Sequence, residues 1–475
     1  MSKWQWRALG LLLAAMLLSI AALAWLAGPS GAAVREGLTS RSANEWIRYA
    51  QKRLQGHPKL ESVALPLLGA WQSRLERTPP DQTPLPTLGK GQQKQGLTDL
   101  AGPPLRELSV ATPQDIRDAL MQAPAGTRIV IAPGLYTFNQ NLRLGHDGER
   151  LAPIVLSAEQ PGSVVLAFSQ DEGFLVDRPH WIFENLNIRG VCVRHTDCEH
   201  AFHVVGKAAS TTLRNNHIQD FNAHIKVNGL GPDWPDHGWL AFNTLTNTAP
   251  RDTDRSVVPF DLVGASHWRV QDNLVSQFSK LDGNQVSFGM FMKGASEGGI
   301  FERNLVICSP TGISRPGVRV GISFGGGGTD PASCRTQQCL GHEHTQGLAA
   351  NNVVAHCNDA GLDINHATDI VLAHNTLINT AGITARRAPA RALLYGNLLE
   401  GGVYARDGST LAQENNLLVH SEAVFRSPDA LQLQWKSPPD NIPPAQLVTK
   451  DFFDQPRGNP SFPGATGPTG ELLSQ

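Results

Sequence analysis

Apolar and polar residues alternate in five short segments of the second half of the chain, each beginning with glycine. Alternation with a period of two is typical of a β-strand, because successive side chains point to opposite faces of a sheet. The second and fourth positions are mostly apolar and are predicted to face a core. The third and fifth are therefore predicted to face outward. The segments are Gly289–Lys293, Gly321–Gly325, Gly361–Asn365, Gly382–Arg386 and Gly402–Arg406.

An asparagine followed by two mostly apolar residues recurs through the same region. Its last three intervals are 23, 22 and 19 residues, about the length of one coil of a solenoid. The earlier intervals of 27 to 31 and 48 residues predict loops inserted into individual coils. Stacked amides can hydrogen-bond from turn to turn, so we predict a column of asparagines. The positions are Asn216, Asn243, Asn273, Asn304, Asn352, Asn375, Asn397 and Asn416.

The N-terminus has Lys3 and Arg7 before an apolar run, Ala8–Gly28, that is interrupted only by Ser19. Its length matches a bilayer, whereas the apolar part of a signal peptide has about 7 to 15 residues. This favours an uncleaved transmembrane anchor over residues 1–28. The positive flank would stay in the cytoplasm and place the rest on the periplasmic or extracytoplasmic side. A signal cleaved near Gly31–Ala33 is the alternative.

Helical periodicity between Ser42 and Arg77, broken at Gly56–Pro58, predicts a membrane-proximal helical collar within residues 29–77. Residues 78–108 are rich in Pro, Gly and Gln and are predicted to be a linker. Thr112 and Pro113 then open a short capping helix. Residues 426–475 are predicted to form an irregular C-terminal tail.

The whole chain has 46 Gly, 32 Pro and 17% charged residues, which indicates a turn-rich fold and not a disordered one. A net charge of -2 gives no overall attraction for nucleic acid, so no nucleic-acid partner is predicted. Attraction for any other polyanion must come from a local patch.

Six cysteines on the exported side favour disulfides. We predict the pairs Cys192 with Cys198, Cys308 with Cys357, and Cys334 with Cys339. The alternative is a metal site, because Cys334, Cys339, His342, Glu343 and His344 lie close together in the sequence. Their spacing does not match a zinc finger or ribbon, so disulfides are favoured.

The runs APAGTRIVIAPGLYTF, APIVLSAEQPGSVVL and HWIFENLNIRG resemble the opening coils of the chondroitinase B and alginate lyase group of pectin-lyase-like proteins. The resemblance implies a right-handed helix. Our predicted fold is all-β, a single-stranded right-handed parallel β-helix over residues 109–425, with an N-terminal transmembrane helix and a short helical collar.

In that group a lysine and an arginine on neighbouring coils carry out elimination, and an Asn and two Glu hold calcium. Lys293 in FMKGASEGGIFERN is similar to the group's lysine. No Glu lies just upstream, so the resemblance gives no support for calcium and no cofactor is predicted. The arginine expected near Ser323–Gly325 is missing, and Arg319 or Arg386 would have to replace it.

The outward positions of the five segments combine cations, an aspartate and aromatic rings. Arginine binds carboxylate or sulfate through a bidentate fork, and an aromatic ring can stack on a sugar. The alternative is an ordinary solvated strand face. The predicted substrate-binding residues are Phe291, Asp363, Asn365, Tyr404 and Arg406.

A long insertion, from Gly325 to His344, is predicted to rise beside this face. It brings Glu343 and His344 as a candidate acid, base or metal site together with Asp363 and His366. The alternative is that these histidines only cap or fill turns. The predicted catalytic residues are Lys293, Arg386, Glu343 and His344.

The sequence thus predicts a membrane-anchored envelope protein that acts on or binds an acidic polysaccharide, with lyase or epimerase chemistry as the enzymatic reading. The alternative is a non-catalytic carbohydrate-binding or adhesion scaffold. The predicted partners are an acidic polysaccharide and, through the N-terminal helix, the inner membrane.

Overall fold

The computed structural model describes residues 47, 50, 51, 53, 54, 58–75, 104–313, 315–336, 339, 341–437 and 439–467. The chain divides into two compact units, residues 1–76 and 77–475. The predicted anchor, most of the predicted linker and part of the predicted collar lie outside the described residues.

In the first unit the described structure is helical. Helix α1 is Pro58–Leu75, with Pro66 inside it, and residues of the preceding stretch are also helical. Across the described part of the chain, no helix has both the length and the apolar character required to cross a bilayer.

The second unit is built from three long parallel sheets, and each coil of the chain contributes one strand to each sheet in the order C, A, B. Sheet A contains β1 Arg106–Val110, β2 Thr127–Ile131, β5 Ile154–Ala158, β8 Trp181–Glu184, β11 Thr212–Arg214, β14 Trp239–Ala241, β17 Arg269–Gln271, β21 Ile300–Glu302, β25 Leu348–Ala350, β29 Ile370–Ala373, β32 Arg391–Tyr395 and β35 Thr410–Glu414. Sheet B contains β3 Gly134–Phe138, β6 Val164–Phe168, β9 Asn187–Gly190, β12 His217–Gln219, β15 Thr244–Thr246, β18 Leu274–Ser276, β22 Leu305–Ile307, β26 Val353–Ala355, β30 Thr376–Ile378, β33 Leu398–Leu399 and β36 Leu417–Leu418.

Sheet C carries the positions that the sequence predicts to face outward. It contains β4 Leu142–Arg143, β7 Glu172–Val176, β10 His200–Val205, β13 Ile225–Asn228, β16 Phe260–Val263, β19 Val286–Lys293, β23 Val318–Gly325, β27 Leu362–Asn365, β31 Gly382–Arg386 and β34 Gly402–Ala405. Every pairing within the three sheets is parallel between successive coils, for example β16 with β19 and β27 with β31. The predicted parallel β-helix is therefore confirmed, and its first strand begins at Arg106.

Smaller elements complete the described part of this unit. Helix α2, Pro113–Gln122, is capped by Thr112, whose side chain accepts a hydrogen bond from the Asp115 N–H. Its Ile116 and Leu120 are buried at the start of the coil stack. The other elements are the corner strands β20 Ser296–Glu297, β24 His344–Thr345 and β28 Ala367–Thr368, helix α3 Ser421–Val424, the hairpin strands β37 Phe425–Ser427 and β38 Gln432–Trp435, and the 3-10 turns His195–Asp197, Pro331–Ser333 and Pro428–Ala430.

The core inside the coils is a column of apolar side chains, as the alternation predicts. In its first coils Phe168, Phe174, Phe183 and Phe202 are fully buried, and the rings of Phe174 and Phe202 stack with centroids 4.8 Å apart. Aromatic pairs of this kind contribute beyond the apolar area that they bury.

The predicted asparagine column is present, and it lies at the corner between sheets A and B. The side-chain amide and the backbone N–H of Asn273 both donate to Oδ1 of Asn304, at 3.0 and 3.1 Å, and Asn304 donates in the same way to Asn352. The same pattern joins the remaining positions from Asn216 to Asn416. Each buried amide is therefore satisfied within the stack.

All three predicted disulfides are formed. Cys192 bonds Cys198 and Cys334 bonds Cys339 within loops, and Cys308 bonds Cys357 between coils. The described residues contain no free cysteine. The disulfide reading of the cysteine spacing is confirmed.

The C-terminal segment turns back onto the stack. Phe425, Trp435 and Phe452 pack against the outer side of sheet B, where Leu305 and Val353 are buried beneath them. Val448 covers Ala350 and Ala373 on sheet A. Few regular elements occur after Trp435, yet the described segment is part of the packed structure.

We predict that Asn304→Ala destabilises the protein by about 3 kcal/mol, because it leaves the buried backbone N–H of Asn273 without an acceptor and removes two hydrogen bonds that the Asn304 amide donates. Asn416→Ala at the half-buried end of the column is the matched control and should cost about 1 kcal/mol, since water can replace its amide. Chemical denaturation of both variants measures the difference. Equal losses would contradict a ladder that depends on burial.

Candidate functional site

Sheet C presents two outward columns of side chains. Register and alternation fix them, because the residues between them, such as Met290, Met292, Ile322 and Phe324, are buried in the core. The first column runs His203, Lys226, Asp261, Phe291, Ser323, Asp363, Thr384, Tyr404. The second runs Asn228, Val263, Lys293 and, farther along, Gly325, Asn365 and Arg386, with Arg406 directly after β34.

Lys293 is half-buried at the end of β19, and its Nζ lies 4.7 Å from the ring centroid of Phe291. Burial lowers the pKa of Lys293, and the nearby carboxylate of Asp261 opposes this effect. Within the described residues the ammonium has no hydrogen-bond acceptor and no ion-pair partner. The structure thus leaves this amine available for a ligand.

Two sets of hydrogen-bonded polar side chains from the earlier coils lie on the same face. Lys226 pairs with the buried carboxylate of Asp261 at 2.8 Å. His203 lies between Glu172 and Asn228, at 2.7 and 2.8 Å from its two ring nitrogens.

The sequence analysis missed these residues because it aligned segments that begin with glycine. The strands FHVV, IKVN and FDLV of β10, β13 and β16 lack that glycine. They show the same alternation of inward apolar and outward variable positions, and that signal alone was sufficient to find them.

Arg386 is not a free cation. Its guanidinium donates two hydrogen bonds to Asp363, at 3.1 and 2.9 Å, and Ser323 donates a third at 3.2 Å. Burial raises the pKa of Asp363, and the charge of Arg386 opposes that rise. The expectation that Arg386 is an exposed charge is therefore corrected, because the pair is part of the packing between two coils.

The predicted binding residues divide into buried and accessible ones. Phe291 is only 6% exposed and packs with Phe288, Val258 and Val263, so its ring is not the open platform that the alternation suggested. Asn365 is buried as well, and within the described chain its Oδ1 has no hydrogen-bond partner.

Tyr404 and Arg406 remain at the surface. Tyr404 is half-buried, Arg406 is exposed, and the guanidinium carbon lies 5.6 Å from the ring centroid of Tyr404. These two residues keep the accessibility that a ligand-binding role requires.

His344 faces the interior of the stack. Its ring stacks on Phe324 with centroids 4.8 Å apart, and its Nδ1 lies 2.7 Å from Ser296 Oγ. Complete burial lowers the pKa of His344 to about 3, so the ring stays neutral. The predicted cluster with Asp363 and His366 is not assembled, because His344 does not reach the outer face.

Glu343 and Arg319 have structural partners. The carboxylate of Glu343 accepts hydrogen bonds from the Gly294 N–H and the Thr329 hydroxyl, at 2.8 and 2.9 Å. Arg319, the other candidate to replace the missing arginine, is buried and donates to the carbonyls of Ile313 and Arg315. In the described part of the chain, no group of three or more His, Cys, Asp or Glu side chains is arranged to hold a metal ion.

The described part of the insertion loop, residues 326–336, 339 and 341–343, approaches Lys293 at Gly326 and Arg335. The Arg335 N–H donates to the carbonyl of Gly294, next to Lys293, at 2.9 Å. The Arg335 guanidinium forms a bidentate pair with Asp236 at 2.7 and 2.8 Å and lies 5.6 Å from the ring of Trp234. The disulfide of Cys334 closes the neighbouring turn of the loop. These contacts fix the loop against two other coils.

We predict that Arg386→Ala destabilises the protein by about 3 kcal/mol, because it leaves the buried Asp363 carboxylate without its counter-charge. Arg406→Ala, an exposed change on the next coil, should alter stability by no more than about 0.5 kcal/mol. The unfolding midpoints of the two variants in urea test this. Two equally stable variants would refute a structural role for the pair.

Comparison with known proteins returns structures and no sequence relatives: no family model and no curated protein matches the chain. The chain is similar to pectate lyase Pel9A, with a TM-score of 0.48 and 12% identity over 78% of this chain and 96% of that one. It is also similar to an alginate lyase from Paenibacillus sp. str. FPU-7, with a TM-score of 0.39 and 14% identity over 66% and 95%. A third is the A-module of the Azotobacter vinelandii mannuronan C-5 epimerase AlgE6, with a TM-score of 0.37 and 10% identity over 65% and 95%. The stacked parallel sheets of the described residues establish the architecture, and these similarities assign neither substrate nor activity to this chain.

Proposed function

We propose that the outer face of sheet C binds an acidic polysaccharide and that Lys293 acts on it as a general base. One observation carries the proposal. On a face where the other buried charges are paired, Lys293 has no partner among the described residues, and its pKa is lowered by burial. A lysine with a lowered pKa is more often neutral than an ordinary lysine and is therefore better suited to take up a proton.

The reaction would begin with removal of the C5 proton of a uronic acid. The neutral amine of Lys293 takes that proton, and the electron pair moves toward the carboxylate, where a cation stabilises the developing charge. In elimination the pair forms the C4–C5 double bond, the C4–O4 bond breaks and the leaving oxygen takes a proton from water. In epimerisation water delivers a proton to C5 from the opposite side.

Binding would extend along the axis of the coils. From β19 to β34 there are four coil steps of about 4.8 Å each, so Lys293 and Arg406 lie roughly 19 Å apart along the axis. A fully extended sugar chain can contact both. Tyr404 and Arg406 then supply a ring and a fork for a sugar several units from Lys293.

Location on the extracytoplasmic side, with residues 1–28 in the inner membrane, is part of the proposal. The three disulfides support an oxidising compartment. Polysaccharides of the envelope are accessible there.

Binding without turnover is the second candidate function. The pairing of Arg386 with Asp363 favours it, because that arginine is not free to stabilise charge beside Lys293. Turnover changes the polymer chemically, whereas binding alone leaves the polymer unchanged.

We predict that Lys293→Ala abolishes turnover of uronate polymers and largely retains their binding. Lys207→Ala, at an exposed lysine, is the control and should behave as the native protein does. Ultraviolet absorbance of the unsaturated product detects elimination, and proton exchange at C5 detects epimerisation. Binding of the polymer by the native protein with neither signal would favour the non-catalytic function.

The pH dependence should follow the amine. Turnover needs neutral Lys293, so kcat/KM should fall about tenfold for each pH unit below its pKa. Because burial lowers that pKa from its ordinary value of 10.5, the fall should begin below the pH at which an ordinary lysine titrates. Asp261→Asn removes a charge that raises this pKa and should move the acid limb to still lower pH. An unmoved limb would exclude Lys293 as the titrating base.

A further inference from the structure

The glycine run that opens the insertion loop passes between two cations. A methyl group added to Gly326 would lie 2.8 Å from Cδ of Lys293, and one added to Gly327 would lie 2.7 Å from Nη1 of Arg387. The Cα atoms of adjacent residues are about 3.8 Å apart. Lys293 and Arg387 therefore approach neighbouring residues of one short stretch of backbone, although they belong to strands three coils apart.

Arg387 differs from its neighbour Arg386 in every respect that matters for a ligand. It directly follows β31, has a φ of 62°, and is exposed. Arg386 is bound by Asp363, whereas the guanidinium of Arg387 has no hydrogen bond or ion pair within the described residues. The left-handed backbone turns the chain at this corner, and the side chain of Arg387 extends back to the glycine run.

The backbone of the run is also unoccupied. Among the described residues, the N–H groups of Gly326, Gly327 and Gly328 have no hydrogen-bond acceptor, and Gly326 is buried. Backbone N–H groups without an acceptor are donors that an anion can bind. A guanidinium beside them adds a positively charged bidentate donor.

We propose that the amides of Gly326, Gly327 and Gly328 and the guanidinium of Arg387 form a subsite for the anionic group of a sugar, a carboxylate or a sulfate ester. The subsite rests on the proposed binding of an acidic polysaccharide and specifies which residues meet its charge. The proposed reaction needs a cation in addition to Lys293, because Lys293 must be neutral to act as a base. In this proposal Arg387 is that cation. Arg386, one residue earlier, cannot do this while it is paired.

The need for glycine follows from the same distances. A side chain at Gly327 would occupy the place of the Arg387 guanidinium, and one at Gly326 would displace the Lys293 stem. Backbone without side chains lets both cations approach the same short stretch of the loop.

The test compares Arg387→Ala with Arg391→Ala, an exposed arginine of sheet A that pairs with Asp369. The probes are polygalacturonate for carboxylate, dextran sulfate for sulfate ester, and carboxyl-reduced polygalacturonate as the neutral polymer. Loss of one charged fork should weaken binding of the preferred anionic polymer about tenfold in Arg387→Ala. Arg391→Ala should bind as the native protein does, and neutral-polymer binding should be equal in all three. The polymer whose affinity falls more in Arg387→Ala identifies the anionic group that the subsite binds.

A second variant, Gly327→Ala, should weaken binding of the same polymer. It should not lower the unfolding temperature, because the residue is exposed. Native affinity for both anionic polymers in Arg387→Ala overturns the subsite. If Arg406→Ala loses affinity in that experiment, the proposed polysaccharide binding stands without the subsite. If the native protein binds neither anionic polymer, the proposed function and the subsite fall together.

Discussion

The buried amide at the corner between sheets A and B sets the geometry of the β-helix. In nine successive described coils, two residues separate the sheet A strand from the sheet B strand, and the first of the two has a φ between 53° and 64°. In eight of these coils the second residue is an asparagine of the column. If the asparagine amide of one coil were not aligned with that of the next coil, buried donors would have no acceptor. The column therefore fixes the register of each coil against its neighbours. The outward columns of sheet C are aligned as a consequence.

The sequence was sufficient for features that repeat from coil to coil. The asparagine spacing predicted the ladder, and the period-two alternation separated Met290 and Met292 in the core from Lys293 on the face. The three cysteine pairs followed from their positions in loops and coils. In each case one type of residue meets one local structural requirement. Both the residue type and its spacing can be read from a single sequence.

Contacts between non-repeating residues were beyond the same reasoning. The alternation placed Asp363 and Arg386 outward correctly, but it did not show that they bind each other and that Asp363 becomes buried. Phe291 was taken as an open ring because the alternation alone does not reveal that Phe288 of the same strand and Val258 cover it. His344 was read as part of a loop cluster, whereas the corner strand β24 turns it onto Phe324. Each outcome depends on the folded position of segments that do not repeat from coil to coil.

The corners of the coil differ in how much variation they accept. The corner with the ladder keeps two residues in nine coils, while the connection from sheet C to sheet A has four residues after β31 and twenty-two after β23. Length changes at the second corner leave the ladder and the core undisturbed, because each loop leaves and re-enters the stack at fixed points. Such a scaffold is suited to evolution by loop exchange. A new specificity can be acquired by replacing one connection beside sheet C while the folding information, carried by the other corner, is inherited intact.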